Sequence, residues 1–175
     1  MKNALIAVAG FVLGVVACAA VFMWSPTLLE RAASTQREVD PAKFEDLRKA
    51  ATTAKASIGV GVTYTVLGDL VRGLAVQTEL ARGKASTPEE RQLIRAADEA
   101  TQFYQDSLHI WQQKIEYGSV LAPYQARDVE AYAKKYNVAP YSTGNFRADD
   151  IIQAAWVRAE AALSPLIGGP PVATR

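Results

Sequence analysis

The pattern of hydrophobic and polar positions divides the chain into one uninterrupted apolar stretch and a longer region of helical periodicity. The apolar stretch, residues 4–24, carries no charged or strongly polar side chain. As a helix it would be about 32 Å long, which matches the hydrocarbon thickness of a bilayer. Lys2 precedes it, and Trp24 lies where an interfacial aromatic residue is common. The pattern therefore predicts a transmembrane anchor in residues 1–24.

Two other interpretations of this stretch stay open. A removable signal peptide would use Lys2 as its basic region and Ala17-Cys18-Ala19 as its cleavage pattern. A lipoprotein signal would instead acylate Cys18, the only cysteine of the chain. In both cases the apolar run continues past the processing site, and we therefore expect an uncleaved anchor.

After the anchor, start signals and apolar stripes predict a series of helices. A short helix is expected from Pro26 to about Arg37, and Asp40-Pro41 gives the N-cap and first residue of the next one. Apolar residues then recur at spacings of three and four, which predicts one long helix reaching about Arg82. The residues of this stripe are Phe44, Leu47, Ala51, Ala54, Ile58, Val62, Val66, Leu70 and Leu74.

The segment Ile58 to Val66 also alternates between apolar and small or polar residues, as a β-strand does. No second segment alternates in this way, so a strand here would lack a partner. We therefore interpret the segment as helix, with the strand as the alternative. Gly59 and Gly61 would each cost about 1 kcal/mol in a helix, and we expect them to allow close approach of a neighbouring backbone.

The next helix has the strongest start signal in the chain. Thr87-Pro88-Glu89-Glu90 combines an N-cap, a proline at the first position and a capping-box glutamate. Its apolar residues follow a spacing close to a heptad, so this helix should pack antiparallel against its predecessor and end at Tyr117-Gly118. The stripe consists of Leu93, Ala97, Ala100, Tyr104, Leu108, Trp111 and Ile115.

Two further helices complete the prediction. One begins at Pro123 and ends near Asn137; the other has Asp149 and Asp150 in its first turn and ends near Leu163. The fold class is all-α, with one N-terminal transmembrane helix followed by an extramembrane bundle of about four to five helices. The bundle is assigned to residues 25–167, and residues 168–175 form an extended tail.

The charge balance of the chain argues against one class of partner, nucleic acid. Without Lys2, 18 of the 19 lysines and arginines remain, against 18 acidic side chains. This balance leaves no basic surplus for nucleic acid. Lysine and arginine near the two ends of the anchor are almost balanced, but a basic residue directly before the span is usual for a signal-anchor. We expect the N-terminus in the cytoplasm and the helical domain outside, which is the periplasm in a Gram-negative bacterium.

The sequence shows no group of residues with the types and spacing of a catalytic or metal-binding site. His109 is the only histidine and lies three residues after Asp106, as in half of a ferritin-like carboxylate–histidine motif. That motif needs a second histidine, so we expect His109 to be a helix-surface or interface residue. Paired acidic residues at helix starts are explained by the helix dipole. We expect no catalytic residue, no metal and no cofactor.

Tyrosines are concentrated in the second half of the chain. Trp111 and Trp156 are expected in the core because they lie on apolar helix faces. Four other aromatic residues combine a large apolar ring with a polar tip, which suits either a structural role or a protein interface. These interface candidates are Tyr124, Tyr132, Tyr136 and Tyr141.

Within the anchor, Gly10 and Gly14 form a Gly-x-x-x-Gly pair, a spacing that lets another membrane helix approach closely. Because the sequence also shows no set of catalytic residues, the glycine pair favours a non-catalytic, single-pass accessory subunit. We expect it to dock on and stabilise a larger membrane complex, for example a photosynthetic or respiratory one. The alternative is a membrane-anchored periplasmic binding or chaperone-like module acting alone, and an anchored enzyme is the third possibility.

Overall fold

The computed structural model describes residues 40–168, most of which are helical. A short 3₁₀ helix, Pro41–Phe44, leads into three long α-helices. These are α1 (Glu45–Val60), α2 (Tyr64–Arg82) and α3 (Pro88–Tyr117). The remaining elements are β1 (Val120–Leu121), α4 (Val129–Tyr136), β2 (Phe146–Arg147) and α5 (Ala148–Ile167).

Four of the helices, α1, α2, α3 and α5, form an up-down-up-down bundle in which each packs on two others. The end of α2 meets the start of α3 through Arg82 and Asp98, whereas the start of α2 meets the end of α3 through Tyr64 and Trp111. These two helices are therefore antiparallel, as predicted. The Arg48 side chain near the start of α1 donates to the Leu166 carbonyl near the end of α5. The helical bundle is confirmed.

The predicted long helix from Asp40 to Arg82 is wrong, because the chain reverses between α1 and α2. Gly61 follows α1 with φ +98°, a conformation that favours glycine. Thr63 then caps α2 by accepting a hydrogen bond from the Val66 amide at 3.3 Å. The predicted stripe does not continue on one buried face across this break. Its member Val66 is exposed, and the neighbouring Leu67 enters the core instead.

The role predicted for Gly59 and Gly61 is also wrong. A Cβ atom built on either glycine would meet no atom within 4 Å, so neither allows a close backbone approach. Gly59 lies within α1, and Gly61 is needed for the turn. The strand alternative for Ile58 to Val66 fails as well, since all of this segment except residues 61–63 is helical.

The core begins at the N-terminal end of α1 and runs along the bundle. Phe44, Leu47, Ala51, Ala54 and Ile58 are buried, as their spacing predicted. A second group of buried residues lies where α4 and the two strands cover α3 and α5. Ile115 ends the predicted α3 stripe but is 65% exposed, because α2 begins opposite Trp111, one turn earlier.

A buried polar contact fixes the start of α1 to the turn between α2 and α3. Thr87 and Glu90 form the predicted capping box. Glu90 also accepts hydrogen bonds from the Lys43 ammonium at 2.7 Å and from the Ser86 amide at 2.7 Å. These donors hold the pKa of the Glu90 carboxyl at about 2, well below its ordinary value. The capping glutamate therefore links three segments of the chain.

The connection between α3 and α5 differs from the prediction in two ways. The helix expected from Pro123 begins only at Val129, and the preceding residues form turns. An antiparallel ribbon of two short strands, with Leu121 opposite Phe146, is an exception to the all-α prediction. The last helix continues past the expected Leu163 to Ile167.

Several predictions fall outside residues 40–168. These are the anchor at residues 4–24 with Gly10 and Gly14, the helix from Pro26 to Arg37, and residues 169–175 of the tail. In the part of the chain that is described, no helix combines the length and apolar character needed to cross a membrane.

Candidate functional site

A group of polar and aromatic side chains lies between α3 and α4. Asp106 on α3 is the centre of this group, which we call the α3–α4 cluster. Its carboxylate accepts hydrogen bonds from the Tyr136 hydroxyl at 2.5 Å and from the Lys135 ammonium at 2.6 Å. The Tyr136 ring also packs edge-to-face on Phe103, with ring centroids 6.0 Å apart. The cluster thus joins the last turn of α4 to the middle of α3.

His109 lies one turn further along α3, at the edge of the same cluster. Its ring is tilted against Tyr132, with centroids 5.5 Å apart, and Nε2 is 3.6 Å from the Asp128 carboxylate. Nε2 also lies 2.9 Å from the side-chain nitrogen of Gln113. The histidine is half-exposed and contacts α4 and the residue that precedes it. This placement agrees with a surface or helix-interface histidine.

The geometry of the α3–α4 cluster suits attachment of a helix better than proton transfer. Burial and the neighbouring Asp106 carboxylate raise the pKa of Tyr136 far above its ordinary value, so its hydroxyl remains a donor. Burial likewise raises the pKa of Tyr132. Asp106 is already engaged by two donors, and its side chain is only 12% exposed. These groups therefore hold α4 on the bundle.

The four tyrosines expected at an interface do not share one surface. Tyr124 is 85% exposed and Tyr141 is 54% exposed. Tyr132 is half-buried beside His109, and Tyr136 is only 4% exposed. Of the two roles left open, Tyr136 has the structural one, because its hydroxyl binds Asp106 and its ring enters the core. Tyr124 and Tyr141 are the two exposed members of this set.

An exposed surface that the sequence did not indicate is the outer face of the β1–β2 ribbon. Val120 pairs with Arg147 across the two strands, and both are exposed, whereas Leu121 and Phe146 are buried beneath them. The Arg147 guanidinium stacks on the Tyr141 ring at 3.9 Å from its centroid. Tyrosine and arginine are the residue types that most often dominate protein interfaces. Tyr141 and Arg147 are therefore held together as one exposed pair.

A groove between α2 and α3 is the second accessible feature. It encloses about 530 Å³, and Gly68 and Val71 of α2 and Leu108 of α3 are among its lining residues. Tyr64, which also lines the groove, packs against Trp111 at its start. A Cβ built on Gly68 would meet no atom within 4 Å, so the glycine leaves the groove open. In the sequence, the one sign of this groove is a glycine, Gly68, at a helical position where it lowers helix stability.

The two tryptophans pack between α3 and α5, close to the groove. Trp111 and Trp156 lie with ring centroids 6.0 Å apart, and the Trp156 indole donates to the Ser107 hydroxyl at 3.0 Å. Both are half-buried against the core, as their apolar faces predicted. The neighbouring Tyr104 is fully buried, yet its hydroxyl has no hydrogen-bond partner. In the described residues, Gln113 Oε1 on the same helix is also buried without a partner.

Among residues 40–168, no three or more His, Cys, Asp or Glu side chains come together in a way that could hold a metal ion. The paired acidic residues lie where helix dipoles attract them, Glu89 and Glu90 at the start of α3 and Asp149 and Asp150 at the start of α5. Comparisons of the chain with protein-family models, with curated proteins and with solved structures find no match.

Proposed function

We propose that the chain is a non-catalytic, single-pass membrane accessory subunit that docks on and stabilises a larger membrane complex. The observation that carries this proposal is the apolar stretch at residues 4–24, followed by a separate helical bundle. An anchor of this length would fix the domain at a bilayer surface, within reach of membrane proteins. The N-terminus would then lie in the cytoplasm and the bundle outside it.

The ion pairs of the bundle support a structural role. Glu90 joins the start of α1 to the α2–α3 turn, Asp106 holds α4, and Asp149 pairs with Lys114 at 2.6 Å between α5 and α3. Each of these carboxylates stabilises the position of a helix. Side chains used in this way are already occupied, which favours a scaffold over a reaction centre.

Two regions would share the contact with the complex. In the anchor, Gly10 and Gly14 would let a partner helix approach closely. On the bundle, Tyr124 and the stacked pair of Tyr141 and Arg147 are exposed and rich in aromatic surface. A tyrosine held against an arginine loses little conformational freedom on binding, which favours affinity.

The test compares two variants of the full chain in their native membranes. Gly10→Leu with Gly14→Leu should weaken association in the membrane, and Tyr141→Ser with Arg147→Ser should weaken it at the bundle surface. A matched control is Tyr117→Ser, an exposed tyrosine outside the proposed contact. Each variant is measured as the fraction that remains with the complex after mild detergent extraction. Full retention of both variants would contradict the proposed contacts.

The α2–α3 groove favours the alternative, a membrane-anchored binding or chaperone-like module that acts alone. Its volume of about 530 Å³ lies in the range of ligand pockets. Under that alternative, Gly68→Leu should abolish binding of a peptide in the groove, and the anchored protein should migrate alone after extraction. An accessory subunit would instead stay with its complex when the groove is filled.

A further inference from the structure

The outer face of α2 carries three exposed aliphatic side chains. Val66, Val76 and Leu80 are 46%, 51% and 58% exposed, and Gly73 lies between them with open space around it. The opposite face of α2 enters the core through other residues, namely Leu67, Val71, Leu74, Thr78 and Ala81. In the described part of the chain, α2 therefore carries aliphatic side chains on a second face, which the bundle does not cover.

This outer face follows a heptad repeat, the spacing by which one helix packs along another. In order, its a and d positions are Val66, Asp69, Gly73, Val76 and Leu80, and the C-cap residue Gly83 continues the series in αR conformation. The positions beside this seam are Leu70 and Gln77 on the e side and Arg72 and Glu79 on the g side. The pattern fits a helix as the occupant.

The repeat is complementary to itself when two copies of α2 run antiparallel. With the two-fold axis between positions 74 and 75, each a position lies opposite a d position of the second copy. Val76 then faces Gly73 and Val66 faces Gly83, so that both valines meet a residue without a side chain, while Leu80 faces Asp69. Glycine at these positions also permits a close helix approach.

Charges on the g side agree with the same arrangement. Arg72 of one copy would lie beside Glu79 of the other, and symmetry forms this pair twice. In the single chain the two residues bind only exposed neighbours, Arg72 with Asp69 and Glu79 with Arg82. Exposed pairs of this kind contribute little, so exchanging them costs little.

A parallel pairing of the same face is unfavourable. It would place Asp69 opposite Asp69 and Gly73 opposite Gly73, so that like charges would face each other and a gap would remain at the centre. In the antiparallel arrangement Asp69 instead lies opposite Leu80. The Asp69 side chain is 65% exposed in the single chain, so its carboxylate can stay in solvent at the edge of the interface.

We propose that the outer face of α2 is the interface of an antiparallel, two-fold symmetric homodimer, with Gly73 of each copy against Val76 of the other. The occupant is thus a second copy of this chain. This inference is independent of the proposed docking on a larger complex, which uses the anchor and the β1–β2 ribbon.

Disulfide trapping tests the register in the full-length protein, in membranes and with Cys18→Ser as the background. Gly73→Cys and Val76→Cys proteins are mixed under oxidising conditions, and a 73–76 disulfide is expected between them. Leu80→Cys alone is the matched control, because its two copies would lie about 16 Å apart along the helices. Efficient Leu80–Leu80 trapping, or no 73–76 disulfide, would overturn the proposal.

Charge reversal tests the interface by affinity. Arg72→Glu places two like-charged pairs in the dimer and should weaken self-association about tenfold. Adding Glu79→Arg restores opposite charges and should recover the wild-type dissociation constant, measured by sedimentation of the full chain in detergent. A monomer at every concentration contradicts the proposal. So does a dimer that is insensitive to both variants, because it would associate through another surface.

Discussion

The turn at Gly61 can be tested by adding one methyl group at two neighbouring glycines. Gly59 and Gly61 are both exposed, and a Cβ at either site meets no atom within 4 Å. The two therefore differ only in backbone conformation. Gly59 is helical, whereas Gly61 has φ +98° and ψ 133°, a region that side chains other than glycine rarely adopt.

The two alanine variants should change stability in opposite directions. Gly61→Ala places a Cβ in a strained conformation, which costs about 1–3 kcal/mol. Gly59→Ala removes a flexible residue from a helix and should stabilise it by about 0.5–1 kcal/mol. For a chain of this size, about 2–4 °C of Tm corresponds to 1 kcal/mol. Gly61→Ala should therefore lower Tm by about 2–12 °C, and Gly59→Ala should raise it by about 1–4 °C.

Thermal unfolding followed by far-UV circular dichroism measures both shifts in the same detergent. Each variant is compared with the wild-type chain, and a reversible transition is required. If both variants were destabilised to the same extent, the glycines would be close-packing sites, as the sequence had suggested. An unchanged Tm for Gly61→Ala would refute the turn between α1 and α2.

Three further changes follow from the polar contacts. Tyr104→Phe removes a buried hydroxyl without a partner and should stabilise the protein by about 1 kcal/mol in a denaturant titration, whereas a clear loss would mean that the hydroxyl is bonded. Asp106→Ala leaves the Tyr136 hydroxyl without its acceptor and should lower the free energy of unfolding by about 1–3 kcal/mol, with faster amide exchange in α4. The double variant Asp106→Ala with Tyr136→Phe should recover part of this stability, and no recovery would argue against the hydrogen bond. The pKa of Glu90 is about 2 in the folded protein, below its ordinary 4.5, so the unfolded chain takes up a proton at this carboxyl at higher pH than the folded one. The contribution of Glu90 to the free energy of unfolding is therefore complete above about pH 4.5 and declines towards pH 2. Glu90→Gln should flatten that part of a stability–pH profile.

The elements with strong local chemistry were predictable from the sequence. The capping box at Thr87 and Glu90 and the end of α3 at Gly118 follow from side chains a few residues apart. The inner stripe of α1 was also predictable, since its spacing of three and four reflects one buried face. Local signals of this kind do not depend on the rest of the fold.

The errors arose where distant contacts decide the structure. The α1–α2 reversal occupies only three residues, so the apolar spacing continued across it, and the positive φ of Gly61 has no periodic signature. Tyr136 resembled Tyr124 in sequence, but a carboxylate 30 residues away binds its hydroxyl. The β1–β2 ribbon is too short to give an alternating pattern. Tertiary partners, rather than local propensity, set these features.

The central claim is that this chain is an anchored subunit of a larger membrane complex. The most direct measurement is size separation of mildly solubilised native membranes, with the protein detected at its native abundance. An anchored subunit should migrate in fixed stoichiometry with a much larger assembly and should leave it when residues 2–24 are deleted. A protein that migrates alone, as a monomer or a dimer of its own 18.9 kDa chain, would contradict the account.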